Sequence, residues 1–277
     1  MENKYKLLAV DLDDTLLNRQ LEVSPGNREA LRQAGEAGVK VILATGRMYR
    51  AALPYARQLD IAGPLITYMG ALVRHAGTGQ TLFHRPAPLD LALEIIGRVK
   101  KYGYHINVYL DDELFVARHT PEGERYAALS GVRPKVVGDL AAFLRGRGED
   151  PTKVLVIEQE SLLDSLAEEM RPVFGHLLHI TKSKPYFLEF SHPLANKGHA
   201  LEAVVRGCGL EREQVIAVGD AYNDLEMIDY AGLGVAVANA REEIRARADF
   251  VTLSNEEDGV AAVIHKFILG VDGCGML

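Results

Sequence analysis

Carboxylates stand in this chain where apolar runs stop. Asp11 and Asp13 follow Leu7 to Val10, a run with the length and β-branched end of a buried strand. In an open α/β sheet that end is where ligands bind, so acid gathered there suits chemistry. A polar turn leading to the next element would use the same residue types. Two further carboxylates, Asp220 and Asp224, follow the run Val215 to Val218, and the hydroxyl of Thr45 closes the run Val39 to Ala44. Lys197 stands near the start of a helical stretch, although an isolated lysine after asparagine is ordinarily a solvated surface residue.

These residues need elements to position them, and the pattern supplies an alternation. Ser24-Pro25 reads as an N-cap with proline at the first helical position, and Gly38 stops that helix before the strand Val39 to Ala44. A strand, a helix and a strand in this order imply a parallel pair joined by a right-handed crossover, which brings Ala44-Thr45-Gly46 to the same sheet edge as Asp11. A helix from about Tyr49 to Leu59, a strand at Leu65 to Thr67, and a hairpin of Ala71 to Arg74 with Thr81 to His84 come next. Beyond Arg85-Pro86-Ala87-Pro88 the pattern changes. Helices near Leu89 to Lys101, Glu122 to Leu129, Leu140 to Arg145 and Leu162 to Val173 mix with strands at Tyr104 to Leu110, Glu113 to Arg118, Lys153 to Glu158, Leu177 to Thr181 and Tyr186 to Phe190. That block reads as an α+β domain, a sheet with helices on one face, inserted in the first. From Asn196 the alternation resumes: a helix to about Cys208, the strand Val215 to Val218, a helix near Asn223 to Tyr230 and the strand Gly234 to Val237. A helix at Arg241 to Arg247, a strand at Phe250 to Leu253 and a helix from about Asp258 to Leu269 complete it.

Four motifs in order carry a resemblance. DLDDTLL from Asp11, Thr45 in VILATGR, Lys197 in ANKGHAL and GDAYNDLEM from Gly219 to Met227 are similar to the four motifs of the haloacid dehalogenase superfamily. The split core with its large insertion resembles the Cof-like branch. The resemblance implies an α/β fold: a Rossmann-like parallel-sheet core with helices on both faces, formed by residues 1–84 and 190–277, and an inserted α+β cap at 85–189. It also implies a phosphoric monoester hydrolase in which Asp11 is the phosphate-accepting nucleophile and Asp13 the general acid/base.

Phosphate ester hydrolysis needs a nucleophile, a proton for the leaving oxygen, and positive charge around the phosphoryl oxygens. Asp11 is already ionised and requires no activating base; Asp13 must begin protonated, the direction in which neighbouring anions push a carboxyl. Two like charges at about 4 Å and an effective dielectric near 20 repel by about 4 kcal/mol, so several converging carboxylates call for a cation. Mg²⁺ suits an all-oxygen set, with Asp11, Asp220 and, carried over from the family, the Asp13 backbone carbonyl as ligands. Asn223 and Asp224 are expected around those ligands, positioning them and Lys197; the plainer reading of NDLEM is a helix start capped by Asn223. Thr45 and the Gly46 amide can donate to the phosphoryl group, and Lys197 supplies a compact charge to it and to Asp11. Arg47 would touch substrate or simply open a helix. Two departures from the family are Met69-Gly70-Ala71 in place of Asn-Gly-Ala, which removes a polar contact, and Asp14 where glycine is common.

Length and composition bound the rest. A chain of 277 residues that is 48% hydrophobic can hold two cores. A net charge of −7 without a Lys/Arg-dense stretch argues against a nucleic-acid partner, while a local cationic site for a small phosphorylated metabolite remains open. Cys208 and Cys274 are too few for a disulfide framework, the first residues enter a strand rather than a signal-peptide pattern, and no apolar run approaches membrane length, so a cytoplasmic protein is expected. His176 and His179 fall in a stretch read as strand, which points them to opposite faces; Gly207-Cys208-Gly209 and Gly232-Leu233-Gly234 do not complete GxGxxG. The reading is therefore a Mg²⁺-dependent phosphatase of a small metabolite, such as a sugar phosphate, under a lid. Its competitors are a phosphomutase returning the phosphoryl group to substrate, and a non-catalytic metal- and phosphate-binding regulator or receiver-like module. Oligomeric state is not encoded in any pattern found.

Overall fold

The computed structural model describes residues 3–271, and Cys274 lies outside the described residues. Its elements in chain order begin with β1 (Leu7–Val10), α1 (Pro25–Glu36), β2 (Lys40–Ala44), α2 (Tyr49–Gln58), β3 (Pro64–Thr67), β4 (Leu72–His75) and β5 (Thr81–His84). Then come α3 (Leu89–Val99), β6 (His105–Leu110), β7 (Glu113–Val116), α4 (Pro121–Ser130), β8 (Lys135–Val136), α5 (Leu140–Arg147), β9 (Lys153–Ile157), α6 (Glu160–Phe174), β10 (His179–Lys184) and β11 (Phe187–Ser191). The remainder is α7 (Lys197–Gly207), β12 (Val215–Gly219), α8 (Leu225–Tyr230), β13 (Leu233–Ala236), α9 (Glu242–Arg247), β14 (Phe250–Val251) and α10 (Gly259–Ile264). Two compact units result. One holds the chain up to Thr45, Ala52–Phe83 and the chain from Asn196; the other holds Gly46–Ala51 and His84–Ala195.

In the first unit a single sheet runs β14-β13-β12-β1-β2-β3-β4-β5, parallel from β14 to β3 and reversed at β4. The central strand β1 joins the N-terminal and C-terminal portions of this unit: Val10 is level with Leu43 of β2 on one side and Val218 of β12 on the other. Strand order reverses direction at β1, and such a switch point leaves a crevice at the carboxyl ends of the strands. All four β1 residues are fully buried, as a strand covered on both faces requires. Leu7 and Ala9 pack with Ala200, Leu201, Val204 and Val205 of α7 and Met227 of α8. Capping obeys the sequence signals: Ser24 accepts the Asn27 amide at 3.0 Å to start α1, and Asn196 accepts the His199 amide at 2.7 Å to start α7. The unit is α/β with helices flanking a parallel sheet.

The second unit is α+β, with strand order β10-β11-β9-β6-β7-β8, antiparallel except for β7 with β8. One face is apolar: Ile106, Val108, Val154, Val156, Leu188 and Phe190 pack against α3, α5 and α6 through side chains such as Ile95, Leu144, Leu163 and Met170. The alternate positions of the same strands are also buried and carry polar groups, namely His105, Asn107 and Tyr109 of β6, Lys153 of β9, and Glu189 and Ser191 of β11, beside the apolar Leu155, Ile157 and Phe187. Within β6 His105 is bonded to Asn107 at 2.8 Å, and from β9 to β11 Lys153 is bonded to Glu189 at 2.5 Å. The two-residue strand β8 was not foreseen in the sequence. The expected strand at Leu177 begins instead at His179, because Leu177 and Leu178 turn back onto the Phe174 carbonyl to close α6. His176 therefore lies in that turn, off the strand. The helix expected from Asn223 opens with a 3-10 turn, Tyr222–Asp224, before α8. Among the described residues no helix is long and apolar enough to cross a membrane.

The ion pair of Lys153 and Glu189, each side chain about 95% hidden from solvent, yields a stability test. Glu189→Ala strands a buried ammonium and should cost about 3–5 kcal/mol, while replacing both partners by well-packed apolar residues, Lys153→Met with Glu189→Leu, should be neutral or stabilising by about 1–4 kcal/mol. Denaturant midpoints of the two variants distinguish these outcomes, and an equal loss in both would contradict the account.

Candidate active site

The site is assembled at the carboxyl end of β1. Asp11 continues the strand pairing, its amide donating to the Val218 carbonyl of β12 at 3.0 Å. The chain then makes a wide irregular turn, Leu12–Leu16, pinned by the buried side chains of Leu12 and Leu16 and by the Leu17 amide on the Leu12 carbonyl. Within it Asp13 is extended and Asp14 is left-handed, with φ of 61°. This turn buries Thr15 completely and delivers its hydroxyl to Asp220 Oδ1 at 2.9 Å. Sequence reasoning left Thr15 without a role; its signal is the fixed place of a hydroxyl four residues after Asp11.

From the neighbouring strand β12, Gly219 leads into a tight return. Asp224 Oδ2 accepts the amides of Asp220 and Ala221, both at 3.0 Å, and a Cβ on Gly219 would lie 2.5 Å from the Asp224 Cβ. Only glycine permits that approach. Lys197, the first residue of α7, is fully buried and donates to Asp11 Oδ1 at 2.6 Å and to Asp224 Oδ1 at 2.5 Å. Both oxygens of Asp224 are thus engaged. Oxygens of Asp11, Asp220 and Asp224 lie within 4.8 Å of one another.

Electrostatics reflect this crowding. Burial pushes the Asp11 carboxyl well above the usual carboxylate range; Lys197 opposes that, and Asp224, Asp220 and Asp13 add to it. Asp220 is pushed up to about 7, by burial first and the Asp224 charge second, with the Thr15 hydrogen bond acting against both. For Lys197 burial works against the charged form, but Asp11 and Asp224 prevail and hold its pKa above the ordinary value. One ammonium cannot neutralise this group of acids. The surplus negative charge and the oxygen-only donor set suit a hard divalent cation, which the cluster could hold through Asp11 and Asp220.

The remaining expected residues differ in burial and in the unit they join. Asp13 is half-buried in the turn after Asp11 and contributes to its electrostatic surroundings. Thr45, buried at the end of β2, donates its amide to the Ile66 carbonyl at 2.8 Å and accepts the Met69 amide at 3.1 Å on its own carbonyl. Gly46 and Arg47, both half-buried, group with the second unit, where the Arg47 charge is felt by the Tyr126 hydroxyl. Asn223, half-buried in the turn after β12, caps no helix with its side chain.

A profile of the haloacid dehalogenase-like hydrolases matches residues 8–264. The 5-amino-6-(5-phospho-D-ribitylamino)uracil phosphatase YitU of Bacillus subtilis is 31% identical over 273 residues, covering 96% of this chain and 99% of that protein. A haloacid dehalogenase-like hydrolase from Bacteroides thetaiotaomicron has a similar structure, with a TM-score of 0.87 at 31% identity over 95% of this chain and 99% of that one. TM0651 of Thermotoga maritima gives a TM-score of 0.85 at 32% identity, over 95% and 97%. With the motifs, the sheet order and the buried acid cluster all in agreement, this chain belongs to the haloacid dehalogenase-like hydrolases and is a hydrolase of the phosphatase type.

Proposed function

We propose that the enzyme hydrolyses small phosphorylated metabolites with Mg²⁺ as its metal, through an aspartyl-phosphate on Asp11. The observation that carries this reading is the Lys197 ammonium on Asp11 Oδ1 at 2.6 Å, which fixes one oxygen of the carboxylate and leaves the other for attack. A carboxylate held in that way is oriented for its reaction. Asp11 forms the O–P bond as the ester O–P bond breaks, and Asp13 gives its proton to the departing alcohol. Water then attacks the phosphorus of the aspartyl-phosphate, Asp13 takes the proton, and phosphate leaves as Asp11 is restored. Lys197 and Thr45 stabilise the charge spread over the phosphoryl oxygens. Asp11, Asp220 and the Asp13 carbonyl would hold the metal, which when bound offsets the negative charge of acids and phosphoryl group together. Asp224 keeps Lys197 and the Asp220 amide in place.

For the substrate, the name of YitU specifies a phosphate ester on a ribityl chain. A hydroxyl-bearing metabolite phosphate, sugar phosphates included, is the class assigned here. The net charge of −7 supports a small anion rather than nucleic acid as the partner.

Replacing the nucleophile by Asp11→Asn should lower hydrolysis of 4-nitrophenyl phosphate in Mg²⁺ by about 10⁴-fold or more. A variant that keeps the wild-type rate would remove Asp11 from the mechanism. Chelation of divalent ions should abolish turnover, and Mg²⁺ should restore it.

The raised pKa of Asp220 fixes a pH dependence. An unfolded aspartate ionises near about 4, whereas folded Asp220 holds its proton up to about 7, so between these values the folded state binds the extra proton. The stability this group contributes is therefore lost as pH rises from about 4 to 7 in the metal-free protein. Mg²⁺ competes with that proton, so its thermal stabilisation should be larger at pH 8 than at pH 5, and Asp220→Asn should flatten the difference. Equal shifts at both pH values in the wild type would refute the assignment.

A further inference from the structure

We propose that Gly70 is a positioning residue for phosphoryl transfer, acting through the start of α7 to set where Lys197 stands. The inference rests on the role of Lys197 in the proposed reaction. Three consecutive residues after β3 are left-handed: Tyr68, Met69 and Gly70, with φ of 52°, 54° and 92°. For Tyr and Met this conformation is disfavoured, and it persists where surroundings enforce it. Tyr68 and Met69 are both buried. The turn they form makes two contacts that matter. The Met69 amide holds the Thr45 carbonyl at 3.1 Å. On its other side, Gly70 is pressed against the residue before Lys197: a Cβ there would lie 2.1 Å from the Asn196 oxygen, 2.4 Å from its carbonyl carbon and 3.0 Å from the Lys197 nitrogen. All three atoms are backbone and cannot swing aside.

The residue after Lys197 is wedged from a different direction. A Cβ on Gly198 would meet the Glu226 carbonyl oxygen of α8 at 2.5 Å. Lys197 is thus flanked by two glycine contacts, each made by backbone with a separate element, while Asn196 caps the helix between them. A lysine side chain is a flexible stem carrying a point charge, so its own rotamers do not define where the charge sits. Here the ammonium reaches two carboxylates at 2.6 and 2.5 Å, and the clamp on its backbone supplies the missing definition. The strained turn couples Thr45 and Lys197, the two phosphoryl-facing groups, through consecutive residues.

The test compares Gly70→Ala with Gly79→Ala. Gly79 also has a left-handed φ, 72°, but nothing within 4 Å of its Cβ position, so it shares the backbone strain without the close approach. Gly70→Ala should lower kcat for 4-nitrophenyl phosphate by about 100-fold with KM within about threefold, since a displacement near 1 Å has that order of effect. Gly79→Ala should leave both unchanged. In a Lys197→Ala background, Gly70→Ala should cost less than about threefold more, because the two act as a unit. A second readout is independent of turnover: acylation of Lys197, read by peptide mass spectrometry, should be at least about tenfold faster in Gly70→Ala. Lys153, buried in the other unit, should label at its wild-type rate and so report that the fold is intact. Multiplicative kinetic losses, or unchanged protection of Lys197, would overturn the proposal. Where Gly70→Ala does not yield folded protein, Gly198→Ala presses the same segment from α8, and the labelling outcomes carry the same meanings. If Asp11→Asn keeps full activity while Lys197 still becomes labelled in Gly70→Ala, the catalytic reading fails and the clamp stands.

Discussion

A single buried ammonium among several carboxylates is the constraint on which this structure turns. Lys197 is fully buried, and a lone charge in that position would be driven toward its neutral form. Asp11 and Asp224 prevent this, and each depends on the lysine in return. Removing the lysine deprives both buried carboxylates of the cation they share, the most costly of electrostatic defects, whereas removing either carboxylate leaves the ammonium on the other alone. The fold answers with backbone: β1 carries Asp11, the return after β12 carries Asp224, and α7 begins at the lysine itself. Asp220 is then held by Thr15 on one oxygen and by the Asp224 carboxylate through its amide.

Much of this was legible from local signals. Leu7 to Val10 announced a buried strand by its composition, Ser24-Pro25 announced a helix start, and the strand-helix-strand order brought Thr45 to the same sheet edge as Asp11; that β12, with Asp220, lies beside β1 is seen only in the fold. These are properties of periods of two and 3.6 and of proline chemistry, which need only a short window. What escaped were contacts set by tertiary packing. The Thr15 hydroxyl meets Asp220 across 205 positions, a partner that its place four residues after Asp11 does not by itself specify. Gly70 likewise reads as one more turn glycine until Asn196 is brought against it. The missed strand β8 is two exposed residues, too short to carry a pattern, and His176 was drawn into a strand because the turn closing α6 is apolar in sequence.

The second unit shows why alternation alone underdetermines a sheet. Strand β6 alternates as a half-exposed strand should, yet its polar face, together with Lys153 of β9 and Glu189 of β11, is buried, with Asn107 and Tyr109 at zero exposure. Polar groups there pair with one another: Thr120 with His105, His105 with Asn107, Asn107 with Tyr109, and Lys153 with Glu189. Such a network holds together only when complete, which makes it a more exacting specification of register than an apolar layer. A slip by one residue would exchange the two faces and bury the lysine among leucines and valines.

Strand β1 leaves its place in the sheet half-finished until β12 arrives from the far end of the polypeptide. During synthesis, which proceeds from the N-terminus, residues His84–Ala195 form a contiguous block that can fold while the partner of β1 is still unmade. The first unit, by contrast, must hold an apolar strand edge open across that interval, and its closure is a long-range event of the slow kind. Lys197 and Asp11 are 186 positions apart, so the acid cluster comes into being only at that last step. The same topology that centres Asp11 in the sheet keeps the acid cluster unmade, and one edge of β1 unpaired, until residues 197–224 have been synthesised.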